Sequence, residues 1–192
     1  LFRVTKDGGG VVWVVGDATI NGSETGTSFR QALYFKEIGF NLHDTMIYMK
    51  DNPPPVGGEM RYYQAFEYCF ILSRGKPLTF NAIVEDRRNK WNDKRVVRMR
   101  PVTRNKSGTF TAKTVKVEGL VKLQNVWSYV VSGGSMAEDM IAHQHPAIFP
   151  ESLARDHILS WSNEGETVLD PFAGSGTTGV ACLNTGRKFI LI

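Results

Sequence analysis

Thr167-Val168-Leu169-Asp170-Pro171-Phe172-Ala173-Gly174-Ser175-Gly176-Thr177-Thr178-Gly179 is the stretch that decides how this chain folds. Val168 and Leu169 end a short buried strand, and Asp170 stands where that strand runs out. Gly174 and Gly176 let the backbone turn tightly and approach a ligand, because a Cβ at either place intrudes. Thr177 and Thr178 suit the first positions of a helix, which continues through Val180, Ala181, Cys182 and Leu183. A strand, a glycine turn and a helix N-terminus make a small-molecule site, with backbone N–H groups aimed at an anionic group.

Two readings compete for this site. Gly174, Gly176 and Gly179 fit G-x-G-x-x-G, the dinucleotide fingerprint. In dinucleotide folds the glycines follow the strand almost directly, whereas Asp170-Pro171-Phe172 intervenes here. A carboxylate before the turn suits an ammonium group, and the helix N-terminus suits a carboxylate, so an amino-acid-like tail satisfies both. Asp170 to Thr178 closely resembles the S-adenosylmethionine-binding motif of DNA amino-methyltransferases, which methylate adenine N6 or cytosine N4. A purely structural strand-turn-helix is the plainer account. Nine consecutive matching residues argue against it.

The 192 residues suffice for one domain with a core and an insertion. Hydrophobic content of 42% and charged content of 22% describe a soluble globular chain. No apolar run reaches the length of a membrane span, and no signal peptide is present, so the expectation is a cytoplasmic protein without membrane partners. Cys69 and Cys182 lie in apolar stretches without metal-ligand spacing and read as buried reduced thiols. A net charge of +4 and a pI near 9.1 inform less than where the charges fall. The chain opens at Leu1 without Met and stops at Phe189-Ile190-Leu191-Ile192, inside what reads as a strand, so it is read as a partial chain.

Leu1 to Asp7 reads as the tail of a helix closed by Gly8-Gly9-Gly10. Val11-Val12-Trp13-Val14-Val15 is a continuous β-branched run, expected to be a strand buried on both faces. Asp17 then falls at the carboxyl end of a parallel-type strand, where open α/β sheets bind ligands; a turn or cap role is the alternative. Thr27 or Ser28 caps a helix carrying Phe29, Ala32, Leu33 and Lys36, with Gly39 as its stop. Strands follow at Phe40 to Tyr48 and Phe66 to Leu72, separated by the Asn52-Pro53-Pro54-Pro55 loop. His43 in the first of them is given no role. Tyr62, Tyr63, Phe66 and Tyr68 form an aromatic cluster. Enzymes that act on a base inside a duplex flip it out and hold it against aromatic faces. Core packing accounts for Phe66 and Tyr68, which leaves Tyr62 and Tyr63 as base-contact candidates.

After Pro77 the composition turns basic. Arg87, Arg88, Lys90, Lys94, Arg95, Arg98, Arg100, Arg104 and Lys106 follow closely, with Trp91 among them and Asp93 the one acid. Thr109 to Val117 alternates like a strand. Arginine forks and lysine charges beside an aromatic suit a nucleic-acid surface, although a basic run also serves as a solvated face. Residues 77–126 are read as a target-recognition region, between 1–76 and 127–192 of a catalytic core. Beyond it, His143 and His145 lack a third ligand at a familiar spacing, so no metal is expected. Pro150 and Glu151 fit the first turn of a helix carrying Ala154, Ile158 and Trp161 and ended by Gly165.

Val11 to Gly75 and Ala142 to Ile192 resemble the DNA methylase N-4/N-6 family, in the order of parts of its β group. That resemblance implies an α/β fold, a Rossmann-like methyltransferase sheet flanked by helices. It implies S-adenosylmethionine as cofactor and double-stranded DNA as partner, and it admits a homodimer and a cognate restriction endonuclease. Carried over residue by residue, Asp170, Pro171, Phe172, Ala173, Gly174, Ser175, Gly176, Thr177 and Thr178 hold the donor's amino-acid end. His145, Pro146 and Phe149, in the segment 145–150, cover the donor. The family's catalytic signature is Asp or Ser followed by Pro-Pro and Tyr or Phe, and this chain has no such tetrapeptide. Asn52 to Pro55 is not its equivalent.

The expected activity is site-specific DNA methylation, adenine N6 before cytosine N4. A DNA-binding or specificity module without catalysis and a nicotinamide oxidoreductase are the rivals. In the family's sheet the signature strand lies between the strand ending at Asp170 and the strand Val11 to Val15. These residues alone are accordingly expected to be unstable and inactive.

Overall fold

The computed structural model describes residues 1–53, 55, 60–86, 102–104, 110–112, 120–131 and 149–192, with the backbone alone at 85–86, 102–104, 110–112 and 120. The basic positions from Arg87 to Arg100, Lys106, His143, His145 and Pro146 lie outside these residues, as does the side chain of Arg104. The chain divides into a larger unit, Leu1–Ala82 with Gln124–Ile192, and a smaller one, Ile83–Leu123.

The larger unit is built on β5, Phe66–Ser73, whose central residues are apolar without interruption. Such a strand can be buried on both faces, and Ile71 and Leu72 are 1% and 0% exposed. Burial of one such side chain contributes about 1.5–3 kcal/mol. β5 runs antiparallel to β1, Gly10–Val15, on one side and to β4, Asn41–Lys50, on the other. β4 also pairs in parallel with β10, Val126–Tyr129, giving the order β1-β5-β4-β10.

The two faces of this sheet are covered differently. Phe70 and Leu72 pack with Ala32, Phe35 and Phe40, from helix α1, Thr27–Glu37, and its exit. Cys69 and Ile71 face Met46, Tyr48 and Leu153, the last from α2, Glu151–Trp161. Helix, sheet, helix is the layering of an α/β domain. A βα unit follows: β11, Thr167–Asp170, helix α3, Thr177–Asn184, and β12, Lys188–Leu191, with β11 parallel to β12. Ala181 and Cys182 dock α3 on Ile158 of α2. Among the described residues, β11 pairs only with β12 and β1 only with β5, so no strand stands between them.

Several expectations change here. Val11 to Val15 is not buried on both faces: β1 is partly exposed and, among the described residues, pairs only with the antiparallel β5. Leu1 to Asp7 is one turn, with Val4 and Thr5 N–H both donating to Leu1 O at 3.0 Å. Pro150 is the extended cap residue rather than a member of the first turn of α2. The strand at Val126–Tyr129 was not expected. Asn81 donates to the carbonyls of Leu159 and Ser162 at 3.0 and 3.1 Å, closing the end of α2.

The smaller unit contains the short strands β2 and β3 nowhere; those, Thr19–Ile20 and Ser23–Glu24, form a hairpin in the larger one. Among its described residues the smaller unit holds two antiparallel ladders. β6, Val84–Asp86, pairs with β9, Leu120–Lys122, and β7, Val102–Arg104, pairs with β8, Phe110–Ala112. β8 falls inside the alternating stretch Thr109 to Val117.

No helix among the described residues is long and apolar enough to cross a membrane.

Candidate functional site

Asp170 ends β11, and its carboxylate organises the turn that follows. Oδ1 accepts the Phe172 N–H at 2.9 Å and Oδ2 accepts the Thr178 hydroxyl at 2.5 Å. One carboxylate thus ties the start of the loop to the first turn of α3. Gly174 and Gly176 have φ of +53° and +85°, the left-handed region that a Cβ disfavours. Gly176 is the N-cap, and the position its Cβ would take faces open space. The first N–H groups of α3 have no carbonyl within the helix to reach, and they carry the positive end of its dipole.

Gly179 serves a different purpose from the other two glycines. Its backbone is ordinary helix, and a Cβ there would lie 2.9 Å from Leu191 Cδ1. It lets α3 lie close on β12, the packing role of the third glycine in such turns. Leu191 is itself in β12, so the close approach is part of what seats α3 over the strand. Ser175 and Thr177 hydroxyls lie 3.1 Å apart.

Phe172 is 73% exposed, and its ring meets Trp13 of β1 edge-on at 5.9 Å between centroids. Sequence reading missed Trp13. Its position in a β-branched run marks a strand, but the contact joins residues far apart in the chain.

The other predicted residues are placed as follows. Asp17 lies beyond β1, and its carboxylate is engaged by α1: Oδ1 accepts the Ser28 N–H at 3.1 Å and the Thr25 hydroxyl at 3.0 Å, and Oδ2 accepts the Ser28 hydroxyl. The Ser28 hydroxyl foremost holds this carboxyl below its ordinary value. Asp17 therefore does the work of a helix cap for α1, the second of its two sequence readings. Phe149 is half-buried against the Met46–Leu153 cluster. Tyr62 and Tyr63 are exposed, whereas Tyr68 stacks on Phe70 at 5.4 Å and packs on the core. The two cysteines are free and buried; burial pushes the Cys69 thiol up to about 12, so it stays protonated.

An α/β sheet with a glycine turn and an acidic strand end defines a class of nucleotide-like cofactor binders. The particular family follows from comparison: the N6/N4 DNA methylase family matches residues 1–192, and the chain belongs to it. The orphan methyltransferase M.BamHII of Bacillus amyloliquefaciens is 54% identical over 193 residues, covering 99% of this chain and 71% of its own length. The DNA adenine methyltransferase YhdJ of Escherichia coli (strain K12) is 47% identical over 66 residues, 34% of this chain and 21% of YhdJ. The crystal structure of M1.HpyAVI in complex with SAM superposes with a TM-score of 0.61 at 24% identity, over 97% of this chain and 69% of that one. The last likeness speaks to the fold.

Proposed function

We propose that this chain forms the S-adenosylmethionine-binding and DNA-recognising parts of a methyltransferase acting on an exocyclic base amine in DNA, adenine N6 in the first place and cytosine N4 in the second. The Asp170–Thr178 turn carries the reading. It joins a strand-end carboxylate, two left-handed glycines and a helix N-terminus within one loop. These residues fit an amino-acid-like tail. Each Asp170 oxygen keeps acceptor capacity beyond the hydrogen bond it makes, enough for an ammonium group. The N-terminus of α3 receives a carboxylate, and the open space at Gly176 lets backbone approach the ligand. When bound, S-adenosylmethionine supplies a methyl group on a cationic sulfur.

The chain's own residues bind and orient. Asp170 holds the amino group, Thr177 and Thr178 present their N–H groups, and Phe172 offers an exposed ring beside the turn. The segment 145–150 covers the donor, as the family resemblance suggests. Tyr62 and Tyr63 take the flipped base, and Arg87, Arg88, Lys90, Lys94, Arg95, Arg98, Arg100 and Arg104, with Trp91 among them in the sequence, hold the duplex phosphates. The likeness to YhdJ, named an adenine methyltransferase, supports N6. The likeness to M.BamHII, named an orphan, supports action without a cognate endonuclease.

The test is calorimetry of S-adenosylmethionine binding to the full-length protein, with Gly176→Val and Asp170→Asn. Methyl transfer into mixed-sequence duplex DNA, followed by nucleoside chromatography, identifies the acceptor. Micromolar binding lost in Gly176→Val and weakened in Asp170→Asn is expected, with N6-methyladenine as product. Donor affinity unchanged in both variants refutes the site.

A further inference from the structure

We infer that Lys50 and Glu67 are positioning residues for capture of the target base, acting on the loop that carries Tyr62 and Tyr63. β4 and β5 are antiparallel, with Tyr48 opposite Glu67 and Met49 opposite Phe66. Lys50 comes two residues after Tyr48, so it stands on the same face, diagonal to Glu67. Its Nζ reaches Glu67 Oε1 at 2.5 Å, with the two side chains 21% and 29% exposed. A pair drawn that far out of solvent is screened less than one on an open surface. Both partners are backed by the core. The Lys50 ammonium lies 5.8 Å from the centre of the buried Tyr48 ring. Tyr48 meets Tyr129 of β10 edge-on at 5.9 Å, and the Tyr129 hydroxyl donates to Asp156 Oδ2 of α2 at 3.0 Å. Glu67 is confined from the side of β1, where a Cβ on Gly16 would lie 3.4 Å from its Cγ.

The chain leaves the sheet at Asp51 and rejoins it at Ala65, and the ion pair lies at the neck of that excursion. Lys50 N–H donates to Ala65 O at 2.7 Å, one step past the last ladder pair. The outgoing limb is tied to β10 and its exit. Asp51 N–H donates to Tyr129 O at 3.0 Å, and Asn52 Oδ1 accepts the Val131 N–H at 2.9 Å. The returning limb is held on either side of the two tyrosines. Before them, Arg61 donates to the Gly22 carbonyl in the turn of the β2–β3 hairpin. That hairpin turns through Asn21 and Gly22, both left-handed with φ of +50° and +79°, as a tight two-residue turn requires. After them, Ala65 takes the Lys50 N–H. Tyr62 and Tyr63 thus occupy a short span between two fixed points, and the Lys50–Glu67 pair secures the one that belongs to the sheet.

This inference rests on the proposal that Tyr62 and Tyr63 take the flipped base. Misplacing a reacting group by about an ångström costs on the order of a hundredfold in rate, so a loosened loop should lower kcat by about tenfold. The experiment measures methyl transfer by the full-length protein from S-adenosylmethionine to unmethylated plasmid DNA. The variants are Lys50→Met, which keeps the stem and removes the charge, Glu67→Gln, the two together, and Lys50→Arg. Lys50→Met is also placed in a Tyr62→Ala/Tyr63→Ala background. Each is melted, assayed for donor affinity by calorimetry, and timed for tryptic cleavage after Arg61, the one Lys or Arg between Asp51 and Ala65. Lys50→Met should lower kcat about tenfold, hold the KM for DNA and the donor affinity within about threefold, and speed cleavage after Arg61. Glu67→Gln should do the same, the pair together no worse than either alone, and Lys50→Arg should retain most of the parent's kcat. With both tyrosines replaced, Lys50→Met should cost less than about twofold. An undiminished kcat in Lys50→Met, an equal loss in both backgrounds, or a loss that tracks the melt alone would overturn the inference while leaving the base-contact reading intact. A Tyr62→Ala/Tyr63→Ala variant that methylates like the parent would refute that reading, and the inference with it.

Discussion

Replacing Asp17 by Ala should lower stability without touching donor binding. The carboxylate accepts from the Ser28 N–H, the Ser28 hydroxyl and the Thr25 hydroxyl, so three donors lose their partner at once. Ser28 is fully buried, at 0% exposure, so its two donors depend on this acceptor. Leaving a buried donor unmatched costs about 1–3 kcal/mol, and loss of an N-terminal cap costs about 0.5–2 kcal/mol. These descriptions overlap in the Ser28 N–H, so the expected loss is about 2–4 kcal/mol. Asp17→Asn keeps one oxygen and should lose about half as much. The pH dependence has a definite sign. The folded carboxyl titrates below its unfolded value of 3.8, so its contribution is full above that pH and disappears as pH falls through the folded value. The assay is urea unfolding at neutral pH, where a shifted midpoint at constant slope reports stability. Calorimetry on the same samples should find donor affinity within twofold of the parent. An unshifted midpoint with lost donor affinity would move Asp17 from the helix cap to the cofactor site.

Three further outcomes are expected. Gly176→Ala meets no neighbour but must adopt a φ of +85°, so it should cost about 1–2 kcal/mol and weaken donor binding, whereas Gly179→Ala, in helical backbone against the movable end of Leu191, should change the stability read by urea unfolding by less than about 1 kcal/mol. His157 is buried against Trp127 at 4.8 Å, and burial lowers its pKa from 6.5 to about 4. Between those values the unfolded state binds the extra proton, so stability should fall by roughly 3 kcal/mol from pH 6.5 to pH 4, and urea midpoints of His157→Phe should show a flatter slope over that range. Removing one phosphate-contacting Lys or Arg from Arg87 to Lys106 should reduce the slope of log affinity for DNA against log salt by about one unit, measured by fluorescence anisotropy; an unchanged slope after charge reversal of the stretch would place the DNA surface elsewhere.

The Asp170–Thr178 turn was legible in the sequence because its causes are local. Asp170, Phe172 and Thr178 lie within two and eight residues of one another, and the left-handed glycines between them impose the turn whatever surrounds it. The same holds for β5, whose unbroken apolar run demands cover on both faces, and for α1, stopped at Gly39 with its φ of +109°. Pairing is another matter. Val11 to Val15 carries no mark of its neighbour, and its antiparallel place beside β5 depends on packing against residues about sixty positions away. Val126–Tyr129 is too short to announce itself, and becomes a strand because β4 offers an edge parallel to it. Asp17, following a strand, reads as a ligand group or as a cap, and it is the fold that brings Ser28 within its hydrogen-bonding reach. Trp13 and Phe172 are 159 positions apart in sequence and share an edge-to-face contact in space. Backbone conformation and periodicity act between neighbours in the chain. Strand order, cap donors and ring contacts arise where distant segments compete for the same buried surface.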